Sequence, residues 1–220
     1  SHEECLASKE KFAQNYVMAE KAGSGMQPVR FIQKCGDSYT VVNPPYMDVS
    51  ADELDLYSAL PFTRLPHPRY EKKGGVPAYD MIRHSVTAHR GCFGGCSFCA
   101  ITAHQGKNVV SRSQESVISE VQNVAAMPDF KGYVSDIGGP SANMYMMKGA
   151  DLQLCVKCTR PSCIYPAICP NLNYDHTPLI ELYRKAAAVK GVKKIFVSSG
   201  VRYDMLVSGD ETKRKFFRCD

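Results

Sequence analysis

The sequence predicts an α/β fold of about three strand–helix units behind an irregular N-terminal extension. Three observations carry that expectation. Stretches 82–89, 132–137 and 194–197 read as strands. Two amphipathic stretches, starting at Ser113 and Thr177, read as the helices between them. Strands that alternate with helices pair in parallel through right-handed crossovers. With 220 residues and 44% hydrophobic content the chain can bury one sizeable core with an appendage.

In chain order, residues 3–22 carry Leu6, Phe12, Tyr16 and Val17 at roughly helical spacing, and Gly23-Ser24-Gly25 ends the run. Stretches 28–32 and 39–42 read as two strands of a hairpin. From 43 to 77 the punctuation changes to Asn43-Pro44-Pro45-Tyr46, Leu60-Pro61, Leu65-Pro66-His67-Pro68 and Gly74-Gly75, with one short helical candidate at 50–57. This segment reads as an extended connector lying over the next domain. Residues 82–89 alternate apolar and polar side chains as a strand does. Ser113 then caps a helix with Glu115 in its first turn and Val117, Ile118, Val121, Val124 and Ala125 on one face. The strand at 132–137 closes on Gly138-Gly139-Pro140. Thr177 is the expected N-cap of the next helix, with Pro178 at its first position and an apolar stripe of Leu179, Leu182, Tyr183, Ala186 and Val189. Gly191 stops that helix, and 194–197 leads into Ser198-Ser199-Gly200. The expected division is 1–79, an N-terminal helix and Pro-rich extension, and 80–220, the βα part with a Cys-rich insertion at about 146–176.

No run approaches the roughly 18 apolar residues of a membrane span. The N-terminus, Ser1-His2-Glu3-Glu4-Cys5, is polar and acidic, so the chain reads as soluble and cytoplasmic, with no membrane partner. The net charge of +5 is modest, and the most basic stretch, Lys213-Arg214-Lys215 with Arg218, reads as a solvated face and a weak case for nucleic acid. Seven of the ten cysteines fall in two tight groups, which points to metal or cluster ligation rather than a disulfide scaffold.

The first group is Cys92, Cys96 and Cys99. Its Cys-x3-Cys-x2-Cys spacing lets one loop wrap three thiolates around a cubic iron–sulfur cluster, and Gly91, Gly94 and Gly95 permit the tight turns. Three ligands for four irons leave one iron open, whereas a structural zinc site is closed by four ligands. The spacing, with an aromatic Phe98 before the last cysteine, resembles the radical S-adenosylmethionine (SAM) superfamily. The wider text from His89 to Thr102, with Gln105-Gly106 and Ser111-Arg112-Ser113, resembles its YgiQ family. So do Asn43–Tyr46, Pro66–Pro68, the run from Asp136 to Tyr145 and the run from Ser199 to Asp204.

The resemblance implies that Cys92, Cys96 and Cys99 hold a 4Fe-4S cluster whose open iron binds SAM. Reductive cleavage of SAM would give a 5′-deoxyadenosyl radical that acts on an unknown substrate, with an electron donor as partner. It implies backbone contacts to the methionine moiety from Gly138, Gly139 and Pro140, where the superfamily's third residue is glutamate, and a place for Phe98 near the adenine. It also implies a partial TIM-type βα barrel. About three of the usual six units are present, so the chain is expected to be the N-terminal half of a radical SAM core and inactive as a fragment. The third strand would offer an open edge for pairing with another copy.

The second group is Cys155, Cys158, Cys163 and Cys169, in a loop with Pro161, Pro166 and Pro170. Four cysteines suit zinc or a second Fe-S cluster, and spacing alone does not choose between these and uncoordinated thiols. Cys5, Cys35 and Cys219 read as ordinary residues. His89 and His104 flank the first group; a hydrogen-bonded structural role outweighs contact with SAM or substrate. Met144-Tyr145-Met146-Met147 reads as core packing or a loop lid. Two further functions fit the cysteines: a tRNA methylthiotransferase-like enzyme, and a zinc-binding interaction module built on the second group.

Overall fold

The described residues of the computed structural model, 1–23, 25–46 and 49–208, fall into two compact units, each assembled from three stretches of chain. The first unit takes 1–48, 91–109 and 147–174; the second takes 49–90, 110–146 and the chain from 175. Lys213, Arg214, Lys215, Arg218 and Cys219 lie outside the described residues. The elements are α1 (His2–Ala7), α2 (Lys9–Gly23), β1 (Phe31–Cys35), β2 (Ser38–Val42), α3 (Ala51–Ser58), α4 (Tyr79–Ile82), β3 (Ser85–Thr87), β4 (His89–Arg90), α5 (Ile101–Gln105), β5 (Val110–Ser111), α6 (Gln114–Ala125), β6 (Tyr133–Val134), β7 (Asp136–Gly138), β8 (Lys148–Gly149), α7 (Leu152–Val156), β9 (Leu172–Asn173), α8 (Thr177–Ala187), β10 (Lys194–Ile195) and α9 (Tyr203–Val207). The fold is mixed α/β with small sheets. No helix among the described residues is long and apolar enough to cross a membrane.

In the second unit, β6 and β7 form one run broken only at Ser135. On one side β7 pairs in parallel with β3, Val86 opposite Ile137; on the other β6 pairs in parallel with β10, Ile195 opposite Val134. The three expected strands therefore lie side by side in chain order. Val86, Val134 and Ile137 are buried there against Val117, Val121 and Val124 of α6 and Leu179, Leu182 and Ala186 of α8. Each such side chain withdrawn from water contributes about 1.5–3 kcal/mol for the larger ones. Ser113 caps α6 as expected, its Oγ accepting from the Ser116 N–H at 3.1 Å.

Three expected boundaries move. The 82–89 strand begins only at Ser85, because 79–82 is a helical turn and Ile82 is exposed rather than facing the core. Thr177 is the first residue of α8 and not its cap: the Asp175 carboxylate accepts from both the Thr177 N–H and its hydroxyl, at 3.0 and 2.8 Å, and His176 takes the cap position. The 3–22 helix breaks at Ser8, which is extended (φ −141°, ψ 121°) and whose Oγ accepts from the Lys11 N–H at 3.3 Å.

The Pro-rich segment is strapped onto the second unit by long-range polar contacts. Asp55 accepts from the Ser113 N–H at 3.1 Å. Arg64 donates to the Glu120 carboxylate and to the Ser85 carbonyl, and the Tyr79 hydroxyl holds the Arg64 carbonyl at 2.7 Å. Buried Arg112 donates to the other Glu120 oxygen at 2.5 Å and to the Thr87 carbonyl at 2.8 Å. One carboxylate thus sits between two guanidinium groups.

The first unit is held differently. β1 and β2 form an antiparallel hairpin with Cys35 opposite Ser38, and the intervening turn needs the left-handed φ of +57° that Gly36 supplies. β8 and β9 pair antiparallel, Gly149 opposite Leu172, and so close the base of the 150–171 loop. Among the described residues of this unit, only Phe93, Met147, Ile164 and Leu172 are fully buried apolar side chains.

Candidate functional site

The chain leaves β4 into the loop that carries the first cysteine group. Gly91 sits at φ +85°, and a Cβ there would lie 1.9 Å from the Asn108 carbonyl oxygen. The loop returns on itself through the Cys92 N–H, which donates to the Gly106 carbonyl at 3.1 Å, and the Thr102 hydroxyl, which donates to the Cys92 carbonyl at 2.9 Å. Gly95, at φ +61°, is equally constrained: a Cβ would lie 2.4 Å from the Pro161 carbonyl. Both positions exclude other residues, as a loop wrapped tightly around a centre requires. The Gly94 N–H points at Cys92 Sγ, 3.4 Å away. Cys92, Cys96 and Cys99 are all half-buried. Cys96 and Cys99 line a cavity of about 190 Å³ together with Tyr16, Pro44 and Thr102. Phe98 is 90% exposed and so does not steady the loop by packing. His104 is exposed.

The Gly138-Gly139-Pro140 turn belongs to the second unit, at the C-terminal end of β7. Ligand sites collect at such strand ends. A Cβ on Gly138 would meet Ser199 Oγ at 2.7 Å, and one on Gly139 would meet the His89 ring at 2.6 Å. The Asp136 carboxylate accepts from the Ser198 N–H at 2.9 Å and from the Ser199 hydroxyl. Asn143 accepts from the Arg202 N–H at 2.7 Å and donates to its carbonyl at 3.0 Å. The turn after β7 is therefore stitched to the one after β10. His89, 1% exposed, lies beneath it with neither ring nitrogen in a hydrogen bond of normal geometry. Burial pushes its pKa down to about 4, against weaker opposing effects of the Ser141 main chain and Asp136, so the ring is neutral. The Ser141 main chain is the hydrogen-bonding group that acts on the ring, and the buried, neutral ring suits a structural role. Met144, Tyr145 and Met147 are buried, in line with core packing, while Met146 is exposed.

In the second cysteine group Cys155 Sγ accepts from Asn171 Nδ2 at 3.3 Å, and the Cys169 N–H donates to the Cys163 carbonyl at 2.7 Å. Burial pushes the Cys163 thiol up; the ammonium of Lys107 pulls it back, and Cys169, Cys158 and Cys155 each push it up again. Cys155 is likewise raised by burial and by Cys158 and Cys169, and lowered by Asn171 and Lys107. The four sulfurs and one lysine thus share an electrostatic neighbourhood. Lys107, which sequence reasoning passed over, is 1% exposed and donates to the Arg160 carbonyl. The insertion is also fastened to the first loop: the Cys163 N–H donates to the Phe93 carbonyl at 3.1 Å and the Ser162 hydroxyl to the Gly94 carbonyl at 2.7 Å. Among the described residues none of the cysteines forms a disulfide, and no three His, Cys, Asp or Glu side chains stand at coordination distance from a common point.

Residues 1–85 match the family described as Radical SAM N-terminal. The chain is 56% identical over 207 residues to a UPF0313 protein of Bacteroides thetaiotaomicron, covering 94% of this chain and 33% of that one. It is 53% identical over 213 residues to a UPF0313 protein of Porphyromonas gingivalis, covering 97% and 33%. It is 50% identical over 177 residues to the UPF0313 protein YgiQ of Escherichia coli, covering 80% and 24%. The chain spans a third or less of the length of these relatives. Fold, cysteine loop and likenesses define a radical SAM-related protein. Within that class the chain belongs to the UPF0313, or YgiQ, family.

Proposed function

We propose that this chain is the cluster-binding part of a radical SAM enzyme, with Cys92, Cys96 and Cys99 as ligands of a 4Fe-4S cluster. The observation that carries the reading is the first cysteine loop itself. Three half-buried thiols lie on one backbone turn that tolerates only glycine at 91 and 95, and three soft sulfur donors suit iron–sulfur ligation with one iron left open. When bound, the cluster supplies the electron that cleaves SAM reductively to a 5′-deoxyadenosyl radical.

The residues of the chain bind and orient. Gly94 directs its N–H at Cys92 Sγ and so helps orient the sulfur. By the family resemblance, the main chain of Gly138, Gly139 and Pro140 would hold the methionine moiety of SAM, and Phe98, exposed on its loop, would be available to the adenine. The parallel order β3, then β6 with β7, then β10 is the order that consecutive strands of a βα barrel take. This supports a partial TIM-type barrel.

The test is anaerobic reconstitution of the full-length protein. About four irons should be bound at the triplet, and dithionite with SAM should release methionine and 5′-deoxyadenosine. Replacing Cys92, Cys96 and Cys99 together by Ala should abolish both. A full-length protein that takes up no iron overturns the reading.

A further inference from the structure

Lys107 presents a physical problem. Its side chain is almost wholly buried, its hydrogen bond goes to a neutral carbonyl, and no carboxylate pairs with it among the described residues. A buried cation without a counter-charge costs several kcal/mol. Lys107 reaches into the four-cysteine loop, donating to the Arg160 carbonyl between Cys158 and Cys163; the thiols that feel its charge are Cys163 and Cys155, on which Cys158 and Cys169 also act. As neutral thiols these provide no compensating charge.

The loop presents a second problem. Residues 150–171 bury only Ser162 and Ile164, hold little regular structure beyond α7, and still keep a defined path. That path is set by polar ties alone: Asn171 clamps Asp151 through two 2.8 Å bonds at the base, and Ser162 accepts from the Ile164 and Tyr165 N–H groups at 3.1 and 3.0 Å. Segments with so little apolar burial are ordinarily held by a cross-link.

We propose that Cys155, Cys158, Cys163 and Cys169 form a second, closed metal centre of four thiolates, with Lys107 as the buried cation that offsets its negative charge. One feature answers both problems. Four thiolates on a divalent metal or a cubane cluster make an anionic centre, which supplies the counter-charge, and the metal–sulfur bonds supply the cross-link that apolar burial does not. No three of these side chains meet at a common point among the described residues, so metal capture requires the four sulfurs to converge. With four protein ligands the centre has no open position and is structural, unlike the three-cysteine loop. The centre does not depend on the proposed enzymatic role of that loop.

The experiment uses full-length protein in which Cys92, Cys96 and Cys99 are replaced by Ala, so that metal bound at the second group is read alone. It is purified anaerobically and loaded separately with zinc, with cobalt, and with iron plus sulfide. Retention of zinc at one per chain, with Cys155, Cys158, Cys163 and Cys169 protected from alkylation, supports the centre and assigns zinc. Retention of iron and sulfide with the same protection supports it and assigns a cluster. Cobalt should give the intense visible bands of tetrahedral thiolate coordination. C163S and C169S should each abolish these bands, and K107M, which leaves all four sulfurs in place, should weaken metal affinity roughly 10- to 100-fold. Full alkylation of the four thiols in the presence of every metal, or their recovery as disulfides from anaerobic protein, overturns the proposal. So does a K107M affinity equal to that of its parent, for the role given to the lysine. Failure of the full-length protein with Cys92, Cys96 and Cys99 intact to cleave SAM, with metal retained at the second group, would strike the enzymatic reading and leave this one standing.

Discussion

The side chains of the main apolar cluster, from Val86 to Ala186, all belong to the second unit, whereas every described cysteine belongs to the first. The second unit excludes water with interlocking Val, Leu and Ile from three strands and two helices. The first threads short strands, glycine turns and thiols through three stretches of chain with four buried apolar side chains between them. A packed interior resists opening by itself; a thiol-rich loop system depends on what its sulfurs hold. The difference teaches that substitutions in the two units should fail in different currencies, stability in one and ligand content in the other.

The sharpest break comes from Glu120→Ala, which strands Arg64 and buried Arg112 without their shared carboxylate. It should destabilise the second unit by about 3–5 kcal/mol, read by urea denaturation. Leu182→Ala, a cavity in the apolar cluster, should cost about 2–5 kcal/mol. In both variants hydrogen exchange of α6 and α8 should rise while the metal content of the cysteine loops stays constant. A parallel loss of metal would break the comparison.

His89 gives a pH-dependent version. Its imidazole takes a proton near pH 6.5 in the unfolded chain but only near pH 4 when folded. Stability that is fully present above pH 6.5 should therefore be lost as pH falls towards 4, by about 3 kcal/mol in total. His89→Gln should flatten that part of the profile; an unchanged slope would assign it to other groups. Gly139→Ala places a methyl against the same ring and should cost about 1–3 kcal/mol. At the small end, Cys35→Ser on the hairpin should change stability by no more than about 0.5 kcal/mol and metal content not at all.

What was legible in the sequence follows the same divide. The α6 stripe and its Ser113 cap were readable because the side chains that matter lie within one turn of each other. The three parallel strands were readable from their alternation with helices. The Thr177 cap slipped by one residue because Asp175, two positions upstream, engages the Thr177 hydroxyl and N–H. Ile82 looked like strand because a single helical turn and a short alternating run share one apolar spacing. The Arg64–Glu120–Arg112 network was invisible: its partners lie 56 and 8 residues apart, and nothing local marks them. In the first unit both cysteine groups stood out by spacing alone. Lys107 did not, since a lone lysine in a polar stretch reads as solvated, and only burial shows otherwise.

The two bonds that join the cysteine loops, from Cys163 N–H to the Phe93 carbonyl and from the Ser162 hydroxyl to the Gly94 carbonyl, bear on how such a protein is assembled. Order gained by one loop is passed to the other through them, and linkage requires the gain to be mutual: the factor by which filling the first strengthens the second equals the factor in reverse. The final state is thus indifferent to the sequence of loading, but the route is not. If both proposed centres load, whichever loop fills first leaves the other already shaped for its own metal.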